Sequence, residues 1–435
     1  MADDLDPVVD VDPGALNPHF LLRLLASAEK HRIEAAGDVV ATSRARLIVT
    51  GTGIDAEVLG RLRDASLQRP LEDCLQARDG VTPAKVLQLA ESLLLKYPLI
   101  QRIDAPDGDP RLLEVIRQIR LTPSMLMLLT IYADEREGRL EHAVCVALLT
   151  LTLARRLISG KALLHRQFCL AGLLHDVGEL FMPPITQQRD VPLSPEQWRS
   201  IASHPVIGSR VLARMEGAGP VVAEAVLCHH ERLDGFGYPR GLADESFTLA
   251  NQLLAVAEWL AGLLEAGMDS LLRASVASRL IPGEFSPQAL EPIQRALRGT
   301  SELADWLKAQ QADLDERVKP MAQSLSRFGA IQQWIATRGV TASPALRGVM
   351  LKAYQRMHRL QLSFASAGLN LKNPEPVLAD LEAPEVRQEL GALLGEFGWR
   401  MREMERACLL RASMLGGDDL SVVNEMLVMI RGGSS

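Results

Sequence analysis

The sequence predicts a mainly all-α protein, with a small mixed α/β module near its start and a helical C-terminal domain. Leu and Ala dominate a chain of 435 residues that is 47% hydrophobic and 4% aromatic, a composition that favours helices. From residue 120 onward the apolar residues recur with long helical spacing. Strand-like patterning with glycine turns is confined to VVATSRARLIVTGTGID at 39 to 55, within the first 120 residues.

Taken in order, residues 1 to 14 form an acidic tail. Residues 17 to 36 read as an amphipathic helix, 39 to 55 as short strands, and 55 to 66, 82 to 96 and 107 to 118 as helices. Residues 15 to 119 therefore make one small module, regulatory or structural. Helices are expected at 122 to 135, 140 to 158, 162 to 176, 195 to 214, 218 to 230 and 247 to 266. Between them, LFMPPITQQRDVPLS (180–194) is too proline-rich for a helix, because proline lacks the backbone donor a helix needs. Ser194 is a suitable N-cap, and Glu196 lies in the first turn that follows. The pattern frays over 267 to 289, resumes at 288 to 297 and breaks near 300, which gives a second domain at 120 to 300. Residues 301 to 435 form the third, with helical patterns at 306 to 339, 343 to 367, 376 to 415 and 418 to 431. The stripe in DDLSVVNEMLVMI reads as packing in a core or as a subunit contact, so a homodimer is a possible assembly.

A chain of this length exceeds one ordinary core. The formal charge of −7 argues against nucleic-acid partners and against an anionic membrane surface. Five cysteines, at 74, 145, 169, 228 and 408, form no CxxC pair, which points to a reducing compartment rather than a disulfide scaffold. The start, MADDLDPVVDVDPG, lacks the basic and apolar regions of a signal peptide. No apolar run reaches membrane-spanning length. A cytoplasmic protein is expected. GTGIDAEVLG lacks the glycine spacing of a phosphate loop, and no internal repeat is evident.

The chemistry concentrates elsewhere. Six of nine histidines fall between 142 and 230. His229 and His230 end an apolar run and are followed by a glycine-rich turn, in CHHERLDGFGYPRG (228–241). Adjacent imidazoles beside carboxylates suit a borderline metal, although such a pair can also simply cap a helix. His175 and Asp176 end another apolar helix, where two buried ionisable groups are costly without a partner. Glu258 interrupts the apolar LLAVAEWLAG. His142 starts one helix and His204 lies within another. Each also has a plain reading, as a surface or capping residue. His19, His31, His165 and His358 read as structural.

These motifs match a family. HDVG (175–178), SHPVIGSRVL (203–212) and HHERLDGFGYPRGL (229–242) together resemble the HD-GYP domains, a branch of the HD-type metal-dependent phosphohydrolases. The resemblance covers roughly 120 to 300. It implies a helical HD-type core holding two or three metals, often iron or manganese, that hydrolyses cyclic di-GMP to pGpG and sometimes onward to GMP. By this resemblance His142, His175, Asp176, His204, His229 and His230 are metal ligands, and Glu258 stands where the family has its last aspartate ligand. Gly237, Tyr238 and Pro239 form a loop near the substrate, a surface also linked to contacts with diguanylate cyclase domains. Arg232 and Arg240, with Lys161 and Arg166, are the cations available to a doubly charged cyclic dinucleotide.

Two departures matter. The family usually reads HDIGK, and here Glu179 replaces the lysine, so Asp176 and Glu179 are the positions on which catalysis turns. A carboxylate there repels phosphate unless it recruits another metal. Gly138 offers no side chain where three-metal members can carry a glutamate, which implies two ions. The expected activity is a cyclic di-GMP phosphodiesterase using water activated by two metals. The alternative is a catalytically degenerate relative acting as a metal- or nucleotide-binding sensor or as an interaction scaffold. A third reading is another HD-type phosphohydrolase acting on nucleotides.

Overall fold

The structure is a computed structural model that describes residues 16–62, 65–104, 112–158, 160–184, 194–265, 274–275, 277, 283–297, 327–366 and 384–431. The acidic tail at 1 to 14 lies outside them, as does most of the helix expected at 306 to 339. The protein is predominantly helical, as its sequence predicts, and among the described residues the strands are short and confined to the N-terminal module. It divides into two compact units.

The first unit comprises residues 1–188, 200–231 and 247–261. It opens with α1 (Pro18–Ala28), capped by Asn17, whose side chain accepts from the backbone N–H groups of His19 and Phe20. This helix is shorter than its pattern predicts. Residues Ile33–Ala35 leave it to form β1, paired antiparallel with β4 (Leu75–Ala77), because cross-strand pairing outweighs a modest helical propensity. A second antiparallel pair joins β2 (Val39–Val40) to β3 (Arg46–Ile48). Then follow α2 (Ala56–Gly60), α3 (Pro83–Lys96), α4 (Pro98–Asp104) and α5 (Leu112–Arg117). Helix α3 matches its predicted span. Its Thr82 cap and the proline after it explain why the start is legible, since proline is pre-organised for a first helical turn.

The core of this unit is built on α6 (Pro123–Glu135), α7 (Arg139–Leu157) and α8 (Ala162–Leu174). Residues 143 to 154 of α7 are buried without interruption. Thr150 and Thr152 tolerate that burial by donating to the carbonyls of Val146 and Leu148, each at 2.7 Å. Helices α7 and α8 approach closely at Gly172, where a Cβ would lie 2.6 Å from the Ala147 Cα. After His175 and Asp176 the chain makes a 3-10 turn, Val177–Phe181. This turn stacks on α1 through Phe20 and Phe181, whose ring centroids are 4.6 Å apart. Arg23 secures the same turn by donating to the carbonyls of Leu180 and Met182.

One expected helix is broken. The 195 to 214 pattern is α9 (Pro195–Ala202) followed by α10 (His204–Arg214). Pro205 has no N–H to donate and sits in the first turn of α10, so a new helix starts there rather than the old one continuing. His204 therefore opens a helix instead of lying within one. Helices α11 (Pro220–Cys228) and α12 (Leu249–Glu265) complete the set.

The second unit comprises residues 189–199, 232–246 and 262–435. Its helices run over Pro287–Leu297, 327–338, Pro344–Ser366, Pro384–Ala412 and Gly417–Arg431. The apolar stripe of the last is spent within the chain, because Val423, Met426, Leu427 and Ile430 are buried. The unit has a charged centre. Glu284, 2% exposed, accepts from Arg356 Nη2 at 2.6 Å and pairs with Arg400. Arg400 also reaches Glu396. The Glu284 carbonyl accepts from the Leu233 N–H at 2.7 Å, which ties loop 232–246 to this centre. All five cysteines are buried, and none of them forms a disulfide.

Candidate metal centre

Helix termini place most of the donors. His142 lies in the first turn of α7, which begins at Gly138 with a φ of 87° that a side chain would strain. His175 is the C-cap of α8 and Asp176 follows it. His204 opens α10, His229 is the C-cap of α11, and His230 follows. Glu258 projects from the middle of α12. Gly178, two residues after Asp176, makes the assembly possible. A Cβ there would lie 2.1 Å from the His204 carbonyl oxygen and 2.6 Å from the Gly208 nitrogen. The HDVG turn and the start of α10 can thus meet only through a glycine.

Backbone carbonyls orient three of the imidazoles in the same way. His175 Nδ1 lies 2.8 Å from the Gly172 carbonyl, His204 Nδ1 2.7 Å from that of Ile201, and His229 Nδ1 2.6 Å from that of Val226. A carbonyl can only accept, so each Nδ1 carries the proton and each Nε2 presents its lone pair inward. The Nε2 atoms of His204 and His229 are 2.9 Å apart. Two lone pairs at that distance repel unless a proton or a cation lies between them.

The donors form two groups. Asp176, His204, His229 and His230 make one, and His142, His175 and Glu258 make the other. Asp176 faces both. Its Oδ2 lies 3.1 Å from His175 Nε2, and its Oδ1 lies 3.3 Å from His204 Nε2 and 3.6 Å from His229 Nε2. Glu258 Oε2 sits 3.2 Å from His142 Nε2 and 3.3 Å from His175 Nε2. Both His175 Nε2 and Glu258 Oε2 are buried without a hydrogen-bond partner, a cost that a coordinated cation removes. Nitrogen and carboxylate donors in this mixture fit a divalent transition metal. The extra methylene of Glu258 is accommodated, since its carboxylate reaches both histidines.

The electrostatics agree. Burial penalises charge on His175, yet the Asp176 and Glu258 carboxylates outweigh it and hold its pKa up to about 10. Burial also opposes ionisation of Asp176, but His175, and His204 and His229 when protonated at Nε2 as well, keep it well below the usual range. His229 goes the other way, to about 4, through burial and the neighbouring His204 and His175 charges. Protons and cations thus compete for the same lone pairs.

Two contributors escape a reading of the sequence. The buried Tyr132 of α6 donates its hydroxyl to Asp176 Oδ2 at 3.0 Å. Arg139 of α7 pairs with Glu179 and lies over the Tyr132 ring, 4.8 Å from its centroid. Neither carries a motif. A tyrosine in a buried helix needs a partner for its hydroxyl, and that was the available signal. His165 bonds the Ile158 carbonyl and His31 pairs with Asp134, both structural as expected.

Loop 232–246 belongs to the second unit. Arg232 is buried there, with its guanidinium over the Phe285 ring at 4.9 Å. Arg411 donates to the Gly235 carbonyl at 2.7 Å and to that of Gly237 at 3.4 Å, and Lys352 reaches Gly235 at 3.0 Å. The bond between Tyr238 and Pro239 is cis, and Arg240 follows it on the half-buried surface. Among the outlying cations, Arg166 reaches Gln118 and Lys161 precedes α8.

Residues 127–279 match the HD domain family. This segment of the chain resembles an HD domain. Over 158 residues the chain is 32% identical to a cyclic di-GMP phosphodiesterase of Pseudomonas aeruginosa, a match covering 36% of this chain and 38% of that protein. It is 37% identical over 91 residues to a cyclic di-GMP phosphodiesterase of Thermotoga maritima, covering 20% and 24%. A 3'3'-cGAMP-specific phosphodiesterase of Vibrio cholerae is 32% identical over 144 residues, covering 33% of each chain. The chain thus spans less than two fifths of the length of these relatives. Among the described residues, no helix is long and apolar enough to cross a membrane.

Proposed function

We propose that this protein is a metal-dependent phosphodiesterase that hydrolyses cyclic di-GMP to pGpG, with GMP as a further product. The observation that carries this reading is the pair of donor groups joined by Asp176. His204, His229 and His230 would hold one divalent ion, iron or manganese, and His142, His175 and Glu258 the other, with Asp176 shared. When bound, such ions lower the pKa of water and offset charge on a phosphoryl oxygen. The chain's own residues do the positioning. Carbonyls fix the imidazole tautomers, Tyr132 holds one Asp176 oxygen, and Gly178 allows the ligand-bearing turns to meet. Gly237, Tyr238, Pro239 and Arg240 are proposed to face the cyclic dinucleotide, and the same loop to meet a diguanylate cyclase domain. Arg232 serves that loop from within, through Phe285.

The test is metal content by elemental analysis together with turnover of cyclic di-GMP by the purified protein. Two ions per chain with product pGpG is the expected result. Two ions with no turnover would refute the enzyme reading and favour the sensor or scaffold, which the carboxylate of Glu179 near Asp176 supports. Turnover of 3'3'-cGAMP in preference to cyclic di-GMP would change the substrate while keeping the chemistry.

A further inference from the structure

We propose that Arg139 is a phosphate-binding residue of this site, held in place by Glu179 and the Tyr132 ring. The inference rests on the phosphodiesterase reading above. Arg139 and His142 are three residues apart on α7 and share a face. The Arg139 side chain is 21% exposed and that of Glu179 31% exposed, so the pair lies at the margin of the site rather than in its interior.

The argument is one of unused capacity. A guanidinium carries five donors in a planar fork. Nη1 is committed to Glu179 Oε2, and the ring of Tyr132 takes one face of the plane. Nε is buried and has no hydrogen-bond partner among the described residues. An unsatisfied buried donor is costly and calls for an explanation. A phosphate oxygen that turns the fork toward the site supplies one, since arginine is matched to phosphate by the spacing of its donors. The charge is secure, because the Glu179 carboxylate offsets the burial that would otherwise favour deprotonation. The nearby path is continuous, as the hydroxyl of the Tyr132 ring beneath the guanidinium contacts Asp176. In this arrangement Glu179 does not face the substrate as a bare negative charge. It holds the cation.

The rival role is a brace, in which the Arg139–Glu179 pair only pins the turn after Asp176 to α7. The two roles differ in what Glu179 does. Phosphate binding needs the arginine and tolerates loss of the carboxylate, whereas a brace needs both equally. Inorganic phosphate binding to the manganese-loaded full-length protein, measured by calorimetry, separates them. Arg139→Gln should weaken binding tenfold or more, Arg139→Lys should recover part of it, and Glu179→Gln should leave it equal or tighter. Metal content should be unchanged in all three. Equal losses in Arg139→Gln and Glu179→Gln, loss of metal in Arg139→Gln, or no phosphate binding by the parent protein would each overturn the proposal. Turnover of cyclic di-GMP by the parent protein, assayed separately, shows whether the reading beneath it stands.

Discussion

Replacing Asp176 tests the shared-carboxylate geometry directly. Asp176→Asn keeps the shape and one carbonyl acceptor, but it removes the negative charge and aims an amide donor at imidazole lone pairs. The carboxylate oxygens face His175 on one side and His204 and His229 on the other, at 3.1 to 3.6 Å. Interactions with a charged partner are each worth about 1.5–3 kcal/mol. Losing one on each side should lower both metal affinities by roughly ten- to hundredfold or more, at about 1.4 kcal/mol per factor of ten. His142→Ala provides the contrast. It strips a ligand from the group with His175 and Glu258 and leaves Asp176, His204, His229 and His230 intact, so one ion should be lost and one kept. Tyr132→Phe deletes only the hydrogen bond to Asp176 Oδ2, and support of that kind is worth about 10–100-fold in metal affinity or activity. Competition titration with a chelator of known affinity, followed by elemental analysis, reads all three. If Asp176→Asn loses one ion and binds the other with unchanged affinity, Asp176 is not shared and the two-ion arrangement is wrong.

Three further outcomes are expected. Gly178→Ala should cost about 1–3 kcal/mol of overpacking and reduce metal content, because the added Cβ meets the His204 carbonyl oxygen at 2.1 Å; a normal melting curve with full metal loading would contradict the close approach. Glu284→Ala strands Arg356, while Arg400 keeps Glu396, so destabilisation of about 3 kcal/mol is expected, the low end for a broken buried pair. Urea unfolding should show it as a lower midpoint, and a change under about 1 kcal/mol would mean the Glu284 charge centre is dispensable. Burial pushes the Cys169 and Cys408 thiols up to about 12. A raised pKa leaves almost no thiolate at pH 8, so iodoacetamide should label both only after denaturation, as mass spectrometry would reveal.

What the sequence determined by itself was the set of candidate donors and most helices of the first unit. Long apolar periodicity survives in any helix buried on one side, and an ionisable side chain interrupting it is conspicuous, so His175, Asp176 and Glu258 stand out against apolar surroundings. Starts marked by proline or by a side-chain cap, as at Thr82 and Thr122, were legible because their chemistry is local. The break before His204 was less so, since a proline can either kink a helix or begin one. The short β1 strand was hidden because its reason, pairing with Leu75–Ala77, lies 40 residues away. Only the tertiary structure showed that Asp176 faces both donor groups, that Gly178 is a point of contact, and that Glu179 is paired with Arg139. Each depends on distances between elements remote in sequence, and residue spacing along the chain carries no information about them. Arg232 makes the same point from the other side. Its position beside a glycine-rich loop is legible in the sequence, whereas the place of its guanidinium over the Phe285 ring is not.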